Sequence, residues 1–428
     1  MQPSELEFIN SLRQSSRYIE QHRGKTCVIY LPGELLLETA SRHQLAQDIG
    51  LLHNLGLKIV LVMGATPQID SALAAHGIEW QNHRQFRITL GEMLPVFQHA
   101  VYDVKTQLEA SFSQSTCQQR SPLTITSGNW VIAQPKGIIE GIDFQHTGKL
   151  RKINHHAIAS NLENGHIVLL TPLAYSLTGE VFNLNTLEQA CEVAAALKAD
   201  KLMLFTQPEI LAGLPKHLSL PKLETACKQP QNNQQASLLN QVRQASANVK
   251  RIHLIDKQDP SAILVELFTR DGCGTLIFSD RYHQVRQAQI EDVGGILELI
   301  EPLEQEGILV KRSRERLELE INNFTVLERD GDIIGCSALY LHDANMGELA
   351  CLAVHPNYQG QELGTELLSA IEAQAQQAGL HSLFLLTTHT HHWFIEHGFE
   401  LGELGKLPES KQALYNFQRN SKVLIKPL

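Results

Sequence analysis

The segment Ala353-Val-His-Pro-Asn-Tyr-Gln-Gly-Gln-Glu-Leu-Gly-Thr-Glu-Leu-Leu368 decides how this chain is read. An apolar strand ends, a turn with glycine follows, and a helix opens on Gly364. The first N–H groups of a helix lack intrahelical partners and point outward, and the helix dipole adds positive potential there. Such a terminus can hold a pyrophosphate. Glycine-bearing turns before helices are common, so the neighbouring elements must carry the assignment.

Downstream, 364–378 places Leu367, Leu368, Ile371, Ala375 and Ala378 on one helical face. A strand over 382–386 and a short helix over 391–397 precede Gly398-Phe399. Upstream lie a strand over 348–354, a hairpin of 324–328 with 333–341 through Asp330-Gly331-Asp332, and a helix over 292–301. This α+β unit begins near Gln284, after a linker over 279–287. Ahead of it, apolar runs at 26–31, 58–63, 166–170 and 201–205 alternate with amphipathic helices, as at 41–55 with Leu45, Ile49, Leu52 and Leu55. That alternation predicts an α/β unit, a mainly parallel sheet covered on both faces. The stretch 207–238, with four prolines and the polar tract 228–235, reads as an exposed connection.

The chain has 428 residues, 43% hydrophobic and 19% charged, with a formal net charge of −10. This suits a globular protein of two or three domains and argues against nucleic acid or an anionic membrane as the main partner. The seven cysteines are scattered without a C-x-x-C pair, which argues against a zinc site and suits reduced thiols. The polar N-terminus lacks the apolar core of a signal peptide, and no run is long enough to span a bilayer, so a cytoplasmic location is expected.

The order helix, hairpin, strand with x-V-x-P-x-Y, glycine turn, helix, strand and W-F-x-x-x-G-F resembles the GNAT acetyltransferases over about 285–428. The resemblance implies acetyl-CoA as co-substrate, no metal, and a cofactor-binding run of Leu352, Ala353, Val354, Gln359, Gly360, Gln361, Glu362, Leu363, Gly364 and Thr365. The family turn R/Q-x-x-G-x-G/A reads Gln359-x-x-Glu362-x-Gly364, so a carboxylate stands where glycine is usual. Its side chain is expected to face solvent while its N–H still serves the phosphates. Acetyl transfer to an amine needs a base for the ammonium, donors for the oxyanion and an outlet for the thiolate. Glu348, just before the turn, is the expected base, and the strand 349–353 offers N–H donors. The tyrosine that many family members use as acid is Phe394 here. Thr387 is the nearest hydroxyl candidate, with release of the thiolate to solvent as the alternative. His389, His391, His392 and His397 lack an accompanying carboxylate pattern for a metal.

The strings PLEQEGILVKRSRE, GELACLAVHP, HWFIEHGF and LPESKQALYNFQRNSKVL narrow the resemblance to bacterial N-acetylglutamate synthases. It implies acetyl transfer to the α-amine of L-glutamate, at the start of L-arginine biosynthesis. It also implies carboxylate contacts from Arg312, Arg419 and Ser421, with Cys351 lining the substrate site. Transfer to another amine is the alternative.

Residues 1–280 resemble the amino-acid kinase fold, in the acetylglutamate kinase branch, through Asp48-Ile-Gly-Leu-Leu-His-Asn-Leu-Gly56, Gln85-Phe-Arg-Ile-Thr89, Ser127-Gly-Asn-Trp-Val-Ile-Ala-Gln-Pro135 and Thr178-Gly-Glu-Val-Phe-Asn-Leu-Asn185. Phosphoryl transfer needs cations and glycine-rich loops. Here the kinase lysine is Tyr30, the H-G-G-G turn reads Met63-Gly64-Ala65-Thr66, and the organising aspartate is Asn185, so kinase activity is not expected. The resemblance implies an L-arginine inhibitor site at Tyr18, Lys201, Glu266 and Gly272, the last two within Glu266-Leu-Phe-Thr-Arg-Asp-Gly272-Cys-Gly-Thr275, and a homohexamer. An inert scaffold and a non-catalytic arginine sensor are the other readings.

Overall fold

A computed structural model of the chain describes residues 9, 13, 15, 16, 18–84, 86–119, 123–269, 272–278, 283–329, 331–342, 345–359, 362–413 and 421–428. It divides into two compact units, Met1–Asp280 and Arg281–Leu428.

In the first unit, β1 (Thr26–Leu31), β2 (Lys58–Met63), β3 (Ile125–Thr126), β4 (Ile167–Leu170), β5 (Lys201–Thr206), β6 (His217–Ser219), β7 (Arg251–Asp256) and β8 (Thr275–Phe278) form one sheet. Its order is β6-β8-β7-β5-β1-β2-β4-β3. The central pairs are parallel, and β8 runs antiparallel to β7. Among its helices are α1 (Thr39–Asn54), α2 (Thr66–Ala75), α3 (Leu94–Gln119), α4 (Thr186–Leu197), α5 (Leu220–Lys228), α6 (Asn233–Ala245) and α7 (Ala262–Phe268). Side chains alternate across a strand. Ile29, Leu31, Leu61 and Met63 therefore meet α1 and α3 at Leu45, Ile49 and Phe97 on one face. Val28, Val60, Val62 and Leu202 meet α4 and α6 at Val193, Leu239 and Val242 on the other. Strands buried on both faces are continuously apolar, which is why these runs were readable.

The stretch 207–238 is not the exposed connection its composition suggests. It contains the helix Pro208–Leu211, β6, α5 and the start of α6. Pro208 and Pro221 occupy the first turns of their helices, where a missing N–H costs no helical bond. The polar tract supplies the Asn232 cap, whose Oδ1 accepts from the Gln235 N–H at 2.8 Å. Buried Gln235 donates to the Ile210 carbonyl at 2.8 Å and accepts from the Gln231 N–H at 2.8 Å. Leu218, Leu223, Leu238 and Leu239 complete the core.

In the second unit, β9 (Gln284–Gln287), β10 (Phe324–Arg329), β11 (Asp332–His342), β12 (Met346–Val354), β13 (Ser382–Thr387), β14 (Glu400–Leu401) and β15 (Lys422–Pro427) form one sheet, ordered β9-β10-β11-β12-β13-β15-β14. Its helices are α8 (Val293–Gln305), α9 (Arg314–Glu320), α10 (Leu363–Gln377), α11 (His391–Glu396) and α12 (Glu409–Gln412). Gln284–Gln287, within the stretch read as linker, is an edge strand paired with β10. Arg286 fixes it there, bidentate to Asp292 at 2.7 and 2.8 Å and bonded to Glu328 at 2.6 Å. Helix α8 covers one sheet face through Ile296 and Ile300. Helix α10 covers the other through Leu368, Ile371 and Ala375. No helix among the described residues is long and apolar enough to cross a membrane.

Leu239 is fully buried in α6. Leu239→Ala is expected to cost about 2–5 kcal/mol of stability in chemical denaturation; a change within experimental error would return 207–238 to the status of a surface connection.

Candidate active site

The second sheet opens between two of its strands. Parallel β12 and β13 pair at Met346↔Ser382, Gly347↔Leu383 and Glu348↔Phe384, where their ladder ends. Past that point β12 stays on β11 as far as Val354↔Gly335, and β13 stays on β15 as far as Thr387↔Lys422. Each strand keeps its outer neighbour and leaves the inner one, so a wedge opens with Glu348 and Phe384 at its vertex. Gly347 permits the tight end, since a Cβ there would fall 2.7 Å from Leu380.

A second irregularity lies along β12. The β11–β12 register shifts between Cys336 and Ala338, and Cys351 takes φ 54°. An extra residue in one strand, with one residue left-handed, is a β-bulge, which re-aims backbone groups and bends the strand. Cys351 is buried, and the Cys336 thiol lies 3.5 Å from the Cys351 carbonyl oxygen.

Glu348 is 7% exposed. Its Oε2 is 2.8 Å from the Lys411 Nζ and accepts from the His342 Nε2 at 3.1 Å. His342 reaches it because Tyr340 pairs with Glu348 and His342 with Met346, making His342 and Glu348 diagonal neighbours on one face. Neither partner was legible as such: His342 needs the register, and Lys411 arrives on α12.

Arg312 precedes α9, with its N–H on Glu304 Oε1 at 2.9 Å and its Nη1 on the Val310 carbonyl at 3.1 Å. Burial opposes its charge, but Cys351 and the Tyr340 hydroxyl outweigh that and raise its pKa. Leu309, three residues earlier, packs against the apolar cluster that contains Cys351 of β12. The Tyr340 hydroxyl donates to Glu320 at 2.6 Å. The rest of the basic tract is a solvated helix start, with Arg314 and Arg316 paired to Glu318 and Glu320.

After β12 the chain turns through His355 and Tyr358, and Gln359 donates to the Val354 carbonyl at 3.2 Å. Glu362 opens α10 with φ 63°, its side chain exposed and making no cap bond. The first N–H groups of this helix are thus uncapped by the N-cap side chain. Gly364 lies under Trp393, 3.2 Å from where a Cβ would be, and Thr365 bonds His397 at 3.0 Å. Leu352 and Val354 are half-buried, and Ala353 and Leu363 are buried. Gly360, Gln361 and Arg419 lie outside the described residues. Thr387 ends the opposite arm of the wedge, its hydroxyl 3.2 Å from that of Thr390. The β13–β15 register pairs Thr387 with Lys422, the residue after Ser421. Among the described residues no three His, Cys, Asp or Glu side chains form a group able to hold a metal.

In the first unit a cavity of about 410 Å³ sits at the C-terminal ends of β1, β2 and β5, lined among others by Tyr30, Ala65, Asn185 and Lys257. Asn185 uses its Oδ1 to cap α4, accepting from Leu187 and Glu188, and Lys257 is paired with Glu34 at 2.9 Å. Burial pushes the Tyr30 hydroxyl up to about 12. This lining is not a phosphate cradle. Elsewhere in the unit, Tyr18, Lys201 and Glu266 are all buried. Glu266 bonds His253 at 2.7 Å with one oxygen and accepts from the Cys273 and Gly274 N–H groups at 2.8 and 2.9 Å with the other. Gly272, at φ 57°, leaves the room this carboxylate needs. Burial, followed by Lys201, lowers the nearby His22 pKa to about 4.

Comparison with known proteins now fits this geometry. Residues 25–211 match the amino acid kinase family and 295–399 the acetyltransferase (GNAT) family. An amino-acid acetyltransferase of Pseudomonas syringae pv. tomato is 45% identical, over 99% of this chain and 100% of its own. That of Escherichia coli K12 is 44% identical, over 99% and 98%. The N-acetylglutamate synthase of Neisseria gonorrhoeae, in complex with coenzyme A and L-arginine, superposes with a TM-score of 0.79 at 34% identity, over 98% of this chain and 99% of its own. The same enzyme with coenzyme A and N-acetyl-glutamate matches with a TM-score of 0.61 at 35% identity, over 98% and 99%. The chain belongs to the bacterial N-acetylglutamate synthases. As an amino-acid acetyltransferase of this family it carries a kinase-like unit followed by a GNAT unit.

Glu362 is exposed, the orientation that a carboxylate takes if the start of α10 is to hold an anion. Glu362→Gln is expected to lower the KM for acetyl-CoA about two- to threefold at low ionic strength, an effect that added salt removes. A raised KM would show the carboxylate to be a favourable contact.

Proposed function

We propose that this acetyltransferase moves acetyl from acetyl-CoA to the α-amine of L-glutamate, and that L-arginine, the product of the pathway, inhibits it through the first unit. The observation that carries the reading is the wedge with a buried carboxylate at its vertex and a bulged strand along one arm. The bound ligands of the N. gonorrhoeae enzyme support it.

The pyrophosphate lies on the uncapped start of α10 and on the turn from Gln359 to Thr365. The pantetheine runs between β12 and β13, along Leu352, Ala353 and Val354, standing in for the missing strand partner. The thioester carbonyl meets the N–H groups that the bulge at Cys351 turns inward, and these stabilise the oxyanion of the tetrahedral intermediate. Glu348 takes the proton of the α-ammonium, directly or through water, because only the neutral amine attacks. The nitrogen bonds to the acetyl carbon, the C–S bond breaks, and the thiolate takes a proton from the Thr387 side of the cleft or from solvent. Arg312, Arg419 and Ser421 hold carboxylate, and Cys351 lines the site as a small side chain.

Arginine binding is assigned to Tyr18, Lys201, Glu266 and Gly272. Glu266 is braced by its own loop, so the effector guanidinium meets an oriented carboxylate and the carbonyls beside it. A homohexamer belongs to the same proposal.

Three outcomes test this reading. Glu348→Gln loses most of kcat near neutral pH and regains part of it at high pH, where the amine deprotonates unaided; full activity at neutral pH removes Glu348 as base. Arg312→Ala raises the KM for glutamate far more than that for acetyl-CoA; the reverse contradicts its role. Isothermal titration at millimolar L-arginine shows saturable binding that Glu266→Ala abolishes; absence of heat in the unaltered chain refutes the sensor.

A further inference from the structure

The ion pair on Glu348 has a consequence for substrate choice. Both of its contacts, from Lys411 at 2.8 Å and His342 at 3.1 Å, fall on Oε2. Among the described residues no bond falls on Oε1, so that oxygen is left for an incoming amine. Lys411 is about one quarter exposed, held on the short α12 and not locked in a core. An ammonium beside the base opposes a second ammonium arriving there. It attracts a carboxylate. An α-amino acid brings both charges, its carboxylate two bonds from its nitrogen.

We propose that Lys411 is the residue that recognises the α-carboxylate of the substrate, leaving the base as the substrate binds. This rests on the acetyl-transfer reading above and adds the origin of its preference for an α-amino acid over a plain amine. With the nitrogen on Oε1 of Glu348, the α-carboxylate lies beside Oε2, where Lys411 Nζ already stands. The ammonium exchanges one carboxylate for another at little cost in charge separation. Glu348 keeps His342 as its positioning partner and gains freedom to accept the amine proton.

The other end of the substrate fits the same frame. Leu309, three residues before Arg312, packs against the apolar cluster that contains Cys351, which lies three residues beyond Glu348 on β12. An arginine entering from that side is suited to the distal γ-carboxylate. Lys411 thus reads the α-carboxylate, and Arg312 contributes to reading the γ-carboxylate. The point-charge geometry of lysine suits the α end, where nitrogen and carboxylate must both turn towards the base, and the planar fork of arginine suits the distal end.

The test compares three amines with the full-length protein at saturating acetyl-CoA, following thiol release: L-glutamate, its α-carboxamide L-isoglutamine, and its γ-carboxamide L-glutamine. The unaltered enzyme prefers L-glutamate over both amides. In Lys411→Met the kcat/KM ratio of L-glutamate to L-isoglutamine is expected to collapse about tenfold or more, while the ratio of L-glutamate to L-glutamine stays within about twofold. Lys411→Arg restores most of the first ratio. A uniform loss on all three substrates, with both ratios kept, overturns the assignment and makes Lys411 a structural partner of Glu348. An unaltered enzyme inert towards all three overturns the acetyl-transfer reading itself, which separates the two failures.

Discussion

The second unit depends on one constraint: β12 and β13 cannot stay paired beyond Glu348. Each is held by an outer neighbour, β11 or β15, through a longer ladder than the three pairs they share. Parallel strands that part leave backbone donors and acceptors facing an open wedge, and such groups are costly if left without partners. A pantetheine amide chain can supply those partners. The bulge at Cys351 adds curvature on the same arm, and Gly347 lets the vertex close. In the proposed reaction the chemistry is therefore set by backbone divergence first and by side chains second.

Charge at the vertex follows from that geometry. Glu348 is buried where a reacting amine would arrive, and a buried carboxylate needs compensation. Lys411 and His342 provide it in the free protein, on a single oxygen. In the proposed reaction the substrate's charges take their places relative to that carboxylate. In the first unit similar physics orients another buried carboxylate: Glu266 is braced by His253 and by the Cys273 and Gly274 N–H groups.

Much of the fold was legible because burial on two faces imposes continuous apolar strands, as at 58–63, and because α10 repeats its apolar residues at helical spacing. The outward face of Glu362 was also legible, since an anion site repels a carboxylate. The misreading of 207–238 has a specific cause. Prolines in first helical turns and a glutamine buried with its bonds satisfied look, by composition, like linker residues. The left-handed Cys351 carries no sequence signal, because the bulge arises from register and not from side-chain chemistry. Lys411 and His342 escaped for a related reason: no spacing relates them to Glu348 until the strands are paired and α12 is placed. Glu266 and Gly272, proposed for the effector, were picked out through a motif, yet the motif did not show that His253 and two backbone N–H groups brace the Glu266 carboxylate.

The account stands or falls on the wedge as the place of acetyl transfer. The most direct measurement is a crystal structure of the protein with a bisubstrate analogue joining coenzyme A to the nitrogen of L-glutamate. The account predicts the pantetheine between β12 and β13, with the glutamate nitrogen within about 3.2 Å of Glu348 directly or through one water. An analogue bound with its nitrogen remote from Glu348, or with β12 and β13 paired along their full length, would contradict it.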